Sequence, residues 1–240
     1  MPTVYWSKNA VASRGPNGET NYSNMRTAEE SSANTNNTTS ANIQVTKNQK
    51  FSGRGSPTFG LARAYFAFNM SGYTTGTITN LKFHFTPTAS TSANLAHYIV
   101  KFSGFGENPA SFNNWDATLW YSGLSITAAG TYTTQFTIVD GSTAASVSLN
   151  STAISDAQDD GYLQIGLLNS GDYNNLQPPS DVDVKTQFNI GSASTGNVFL
   201  QFDYAAPGFT ASVNGTTVAY NTINLVPSST IDEINDTDGG

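Results

Sequence analysis

Residues 63–70 read Arg-Ala-Tyr-Phe-Ala-Phe-Asn-Met and residues 78–85 read Ile-Thr-Asn-Leu-Lys-Phe-His-Phe. Both alternate strictly. Phe66, Phe68 and Met70 point one way and Tyr65, Ala67 and Asn69 the other, while Leu81, Phe83 and Phe85 oppose Lys82 and His84. That rhythm belongs to two half-buried β-strands. The segment between them, Ser71-Gly72-Tyr73-Thr74-Thr75-Gly76-Thr77, supplies turn-permissive residues where the chain reverses. The two strands are therefore expected to be antiparallel neighbours on one sheet.

The rhythm recurs along residues 61–204 with turn residues between the repeats. Further strands are predicted over 96–102, 132–138, 147–149, 162–168, 188–190 and 198–204. One short helix is predicted after Leu149, capped by Asn150 or Ser151, with Ile154 and Ala157 facing inward and Gly161 ending it. Seven to nine strands with one small helix describe an all-β chain, an antiparallel β-sandwich of the jelly-roll kind. Residues 1–60 read as an extended, irregular N-terminal arm. Within it Val4, Tyr5 and Trp6 offer a short strand or anchor, and the Asn/Ser/Thr run 31–42 has too little apolar surface to fold by itself. Residues 205–240 read as an appended β-hairpin around Asn214-Gly215, with an acidic end carrying Asp232, Glu233, Asp236 and Asp238.

Composition narrows the chemistry. At 240 residues the chain is long enough for one well-buried core. Charged residues make up 11% of it, against about 25% in ordinary soluble domains, so its surface is solvated mainly by neutral Asn, Ser and Thr. With no cysteine there is no disulfide framework, thiolate nucleophile or cysteine metal site. The net charge of −7 conceals +6 up to Lys101 and −13 beyond it. This polarity suits either two halves of one fold that attract each other or a basic N-terminal part laid on an acidic neighbour. The basic residues are scattered, which excludes a nucleic-acid surface, and no apolar run approaches the roughly 20 residues of a membrane helix. Residues 1–8 lack a basic stretch followed by an apolar one, so no secretory signal is read.

The order of motifs resembles the DNRLRE-type, carbohydrate-binding-module-like jelly rolls. The resemblance is carried by the run 63–70, the strand 78–85, the loop Phe112-Asn113-Asn114-Trp115-Asp116, the strand Gly161-Tyr162-Leu163-Gln164-Ile165 and the strand 198–204, and it spans about residues 43–204. Such modules occur in bacterial surface and secreted polysaccharide-active proteins and in phage virion proteins. For a chain read without an export signal, the resemblance implies a non-enzymatic virion protein, a capsid decoration or head or tail fibre component. It would be assembled in the host cytoplasm, displayed on the virion surface and homo-oligomeric, holding other virion proteins through residues 1–45 and 205–240. The alternative it implies is a stand-alone carbohydrate-binding module for a cell-surface glycan. Neither reading involves nucleic acid or a membrane.

Candidate site residues follow from side-chain chemistry. A sugar needs aromatic faces beside amide and hydroxyl groups, and Trp115 and Tyr173 with Asn113, Asn114 and Asp116 supply them. Trp120 and Tyr121 also qualify, although packing in a core explains them equally well. Asp172, Asp181 and Asp183, with Asn174 and Asn175 around Pro178-Pro179, make an oxygen-rich cluster suited to a structural calcium ion. The plainer reading there is solvated turn residues bonding their own backbone. No other cofactor is expected. His84 and His97 belong to no catalytic pattern. The carboxylate pairs Asp159-Asp160 and Asp181/Asp183 lie in loop-like sequence where neighbouring side chains diverge, so no catalytic residue is assigned.

Overall fold

The computed structural model describes residues 1–14, 19–27, 33–36, 39, 43–52, 55–90, 95–108, 110, 112–113, 117–139, 143–179, 183–192, 196–207, 209–213 and 216–220. The fold is mainly β and antiparallel, a nearly closed, barrel-like sheet with a few short helices. Its strands are β1 (Thr3–Arg14), β2 (Ala33–Asn36), β3 (Ile43–Phe51), β4 (Thr58–Asn69), β5 (Thr77–Phe85), β6 (Pro87–Ser90), β7 (Leu95–Lys101), β8 (Phe136–Ile138), β9 (Ala145–Ser148), β10 (Tyr162–Asn169), β11 (Asp183–Phe188) and β12 (Phe199–Ala205). Helices α1 (Tyr22–Thr27), α2 (Ser151–Asp159) and α3 (Ser170–Tyr173) sit between them. The main path of eight strands runs β6-β11-β3-β4-β1-β12-β5-β9, with β10, β7 and β8 branching from β4.

The expected irregular arm over residues 1–60 is corrected by β1. Its first residues pair with β12 (Thr3↔Gln201, Tyr5↔Phe199), and after a register shift between Trp6 and Lys8 the rest pairs with β4 up to Arg14↔Leu61. A bulge bends a strand and increases its twist, which lets one chain segment serve two layers. β3 pairs with β4 and β11, and β2 pairs with the far edge of β1, so part of the Asn/Ser/Thr run is strand as well. The region reads as unstructured because the buried apolar residues of β1 and β3, Trp6, Ala10, Ala12 and Val45, are few and set among polar ones, with no sustained alternation.

Two further expectations change at β4 and β5. β5 keeps the half-buried pattern, but every residue of β4 from Phe59 to Phe68 is buried. Phe66 and Phe68 enter the core between the layers, while Tyr65 and Ala67 enter a second cluster with Phe102, Phe105, Phe112, Trp120, Tyr22 and Met25. Nor are β4 and β5 neighbours: β5 pairs with β12 and β9 and faces β4 across the core, with Phe66–Phe83 centroids 5.8 Å apart and Phe68–Phe83 6.3 Å. The connection contains a 3-10 turn over Ser71–Tyr73 and is too long for the two-residue turns that favour a tight hairpin, so it crosses between layers.

The helix after Leu149 forms as its sequence requires. Asn150 Oδ1 accepts from the Ala153 amide at 3.1 Å, Ala153 and Ala157 are buried, and Gly161 takes φ +70° beyond the C-terminus. Residues 132–138 are strand only over Phe136–Ile138. At the C-terminal end β13 (Phe209–Val213) and β14 (Thr216–Tyr220) form a separate two-stranded sheet with Val213 opposite Thr216, as the Asn-Gly pair between them predicts. The acidic residues expected at 232–238 lie outside the described residues.

β4 carries an unusual fork. On one edge it pairs with β1 from Leu61 to Phe68; on the other, β3 takes Thr58–Ala62 and β10 takes Ala64–Asn69, so the two diverge at Arg63. Because β1 completes both layers, a chain lacking residues 1–14 is expected to show no cooperative thermal unfolding. A truncated chain that melts like the full one, followed by circular dichroism, would return these residues to the status of an arm.

Candidate functional site

Arg63 stands at the fork with no solvent contact and faces an equally buried Asp172. Its Nε donates to Asp172 Oδ2 at 2.7 Å and its Nη2 to Oδ1 at 2.8 Å, a bidentate pair. The remaining donors reach the Trp120 carbonyl (3.1 Å) and the Arg26 carbonyl (2.9 Å). Arg26 approaches the same carboxylate, Nε to Oδ1 at 3.2 Å, and also donates to the Asp172 and Tyr173 carbonyls and the Tyr121 hydroxyl. The rings of Trp120 and Tyr121 lie 4.5 and 5.6 Å from the Arg63 guanidinium carbon. Burial alone would lower the Arg63 pKa, but the Asp172 carboxylate outweighs it and holds the group above its ordinary value. The knot thus ties α1, α3 and the segment around Trp120 onto β4.

Beside the knot lies an open cleft of about 530 Å³, lined by Tyr121, Lys101, Ser103, Ser122, Ser125 and Thr127. The Lys101 ammonium is 3.1 Å from Asp156 and 3.9 Å from Asp160, so the lining carries little net charge. Thr131 Oγ1 links the Thr127 carbonyl to the Tyr173 hydroxyl, and the Tyr173 ring stacks on Tyr98 with centroids 3.9 Å apart. Hydroxyl groups beside a tyrosine suit a neutral, polyhydroxylated ligand. Among the described residues that line the cleft there is no carboxylate and no histidine.

The predicted site residues separate. Tyr173 does not line the cleft; its ring packs on Tyr98 and its hydroxyl bonds Thr131. Asn113 is exposed, and its amide donates to the Phe105 carbonyl at 2.9 Å. Asn114, Trp115 and Asp116 lie outside the described residues. Trp120 is buried over Arg63, whereas Tyr121 reaches the cleft. The calcium expectation is corrected at Asp172: both carboxylate oxygens are bound by guanidinium groups, and a cation there would meet two positive charges. Asp181 and the Asp183 side chain lie outside the described residues, and Asp183 contributes its backbone to β11 opposite Gln49. Asn174 and Asn175 close the turn after α3, with Asn174 Nδ2 donating to the Ser170 carbonyl and Asn175 at φ +54°. Among the described residues no three His, Asp or Glu side chains are grouped to hold a metal.

Both histidines are packing residues. His84 stacks on Phe199 at 4.6 Å, and burial, then Lys82, lowers its pKa. His97 fills the fork: Nδ1 is 2.8 Å from the Leu95 carbonyl and Nε2 lies 3.1 and 3.2 Å from the hydroxyls of Thr46 on β3 and Thr186 on β11. A carbonyl only accepts, so Nδ1 carries the proton and Nε2 accepts from a threonine. Sequence reasoning missed Arg63, Arg26 and His97 as organising residues. The available signal was Arg63 itself, the one charge in the apolar run of β4 and hence a group that needs a buried partner.

Asp172→Ala leaves two buried guanidinium groups without a counter-charge and is expected to cost about 3–5 kcal/mol in urea unfolding, whereas Lys101→Met, at a partly exposed pair, should change stability by about 1 kcal/mol or less. Burial pushes the His97 pKa down from 6.5 to about 3, with the Leu95 carbonyl opposing in part. Between those values the unfolded chain binds a proton that the folded chain refuses, so stability is fully present above about pH 6.5 and is lost as pH falls toward about 3. Urea midpoints measured across that window should fall more steeply for the wild type than for His97→Gln; equal slopes would show that His97 titrates normally.

No protein-family model matches this chain, and no curated protein matches it, so its functional reading rests on the geometry above.

Proposed function

We propose that this chain is a non-enzymatic structural protein of a bacteriophage virion, a capsid decoration or head or tail fibre component built on a jelly-roll sandwich and assembling as a homo-oligomer on the virion surface. The observation that carries this reading is the C-terminal hairpin. Among the described residues β13 and β14 pair with each other alone after the Ala206-Pro207 step, in a sheet separate from the main one. A hairpin standing alone is marginally stable in water, and burial against a neighbouring subunit supplies what it lacks. The sandwich has the stiffness such a role needs, because the buried Arg63–Asp172 knot ties α1, α3 and the segment around Trp120 to a central strand. Since β1 belongs to the sheet, docking to other virion proteins falls mainly to residues 205–240, and the low charge of the surface suits packing against neighbours.

The hydroxyl-lined cleft at Tyr121 favours a second reading, a stand-alone carbohydrate-binding module for a cell-surface glycan. Removing residues 206–240 separates the two. On the structural reading the truncated sandwich keeps its melting transition but loses self-association in light scattering, and the full chain is found by mass spectrometry in purified particles of the phage that encodes it. Unchanged association of the truncated chain, with full retention on a polysaccharide affinity gel, would overturn the structural reading in favour of the module.

A further inference from the structure

Most of the polar protons around the Tyr121 cleft are already given to the protein itself. A hydroxyl has one proton to donate. Ser103 Oγ gives its own to the Gly123 carbonyl at 3.4 Å and Ser122 Oγ to the Thr118 carbonyl at 3.4 Å, so both turn lone pairs toward a ligand. Thr127 Oγ1 accepts from the Gly130 amide at 3.1 Å and shares a proton with Ser125 Oγ at 3.2 Å, which leaves a single hydroxyl proton between the two. These groups are within reach of a ligand, for Ser103, Ser122 and Thr127 are exposed and Ser125 is half-buried. The cations are committed as well. Lys101, the one cation among the described lining residues, is held by both Asp156 and Asp160. Arg26 and Arg63, packed on the Tyr121 ring, are buried and spend their N–H groups on Asp172, on carbonyl oxygens and on the Tyr121 hydroxyl.

The cleft is therefore rich in acceptors and poor in donors. A neutral sugar suits it, since each ring hydroxyl brings a proton to a serine or threonine lone pair, and the C–H faces match the apolar part of the lining, Leu124, Ile126 and the Tyr121 ring. A carboxylate brings no proton at neutral pH and would give up its hydration without a donor in exchange. The negative charge beside the cleft opposes it further; the same charge acts on Tyr162, whose pKa is raised by burial and then by Asp160, Glu107 and Asp156. We propose that the cleft selects neutral oligosaccharides over acidic ones, and that Asp156 and Asp160 set this selectivity by keeping the Lys101 ammonium from the ligand. The inference rests on the reading of the cleft as a glycan site.

The test screens the full chain against an array of neutral oligosaccharides and pairs each one that binds with the same chain oxidised at C6 to the uronate. Amide NMR shifts at Ser103, Ser122, Ser125 and Thr127 locate the bound sugar. By calorimetry the neutral member of a pair is expected to bind about tenfold tighter or more. Asp160→Asn loosens the hold on Lys101 at a partly exposed pair, so the affinity ratio should move toward the uronate by about two- to fivefold. Asp159→Asn removes the same charge one position earlier, where the carboxylate accepts from the Ser155 hydroxyl, and should leave the ratio as it is. Both substitutions are at exposed positions of the surface, and the comparison of paired sugars on the wild type stands without them. Equal or tighter binding of the uronate, or an equal shift of the ratio by both variants, would overturn the selectivity while leaving the cleft a glycan site. If no neutral oligosaccharide binds, or the NMR shifts fall away from these residues, the glycan reading of the cleft fails and the selectivity fails with it.

Discussion

The buried ion pair between Arg63 and Asp172 is the constraint around which the rest of this structure is arranged. A guanidinium in the centre of a strand with no access to water is tolerable only when a carboxylate and several carbonyls surround it. Meeting that requirement draws Asp172 from α3 just after β10, the Arg26 carbonyl from α1, the Trp120 carbonyl from an irregular segment, and the rings of Trp120 and Tyr121 onto one side of β4. The same covering makes β4 apolar on both faces. The second core, with Phe102, Phe105, Phe112 and Leu124 over Tyr65 and Ala67, exists because the knot holds its roof in place.

The fork follows from the same strand. Two strands cannot share one edge of β4 at the same residue, so pairing lapses at Arg63 and side chains take over the work of the missing ladder bonds. Thr46, His97 and Thr186 form one cross-strand link there, and Asn48 and Asn169 line the remaining gap. Neutral polar side chains thus fill the split, as Asn9, Thr133 and Gln164 do elsewhere in the interior. The split accounts for a buried histidine, His97, held neutral between two threonine hydroxyls.

These features bear on function through rigidity. The cleft at Tyr121 is formed by a segment with little regular structure, and its shape is kept by hydrogen bonds to Arg26 and by the anchoring of Gln164, whose side chain bonds the Phe105 amide and the Gly106 carbonyl. A surface of serine, threonine and tyrosine hydroxyls on such a support presents the same face to every neighbour or ligand, as both an assembling shell protein and a glycan binder require.

The division between sequence and tertiary structure can be drawn at particular residues. The alternation in 78–85, 162–168 and 198–204, the Asn150 cap, Gly161 and the Asn214-Gly215 step each express a local rule, and each element appears where that rule puts it. What periodicity cannot carry is which strands become neighbours. Phe66 and Phe83 look like partners in one sheet and instead meet across a core, and β1, whose apolar residues show no sustained alternation, becomes central because β4 and β12 flank it. Asp172 reads as a loop carboxylate free for a cation, yet it neutralises an arginine 109 positions earlier in the chain. The amino-acid order determined the strands and their turns through interactions a few residues long. Long-range burial of charge and aromatic surface, which acts between segments distant in sequence, decided how they were joined.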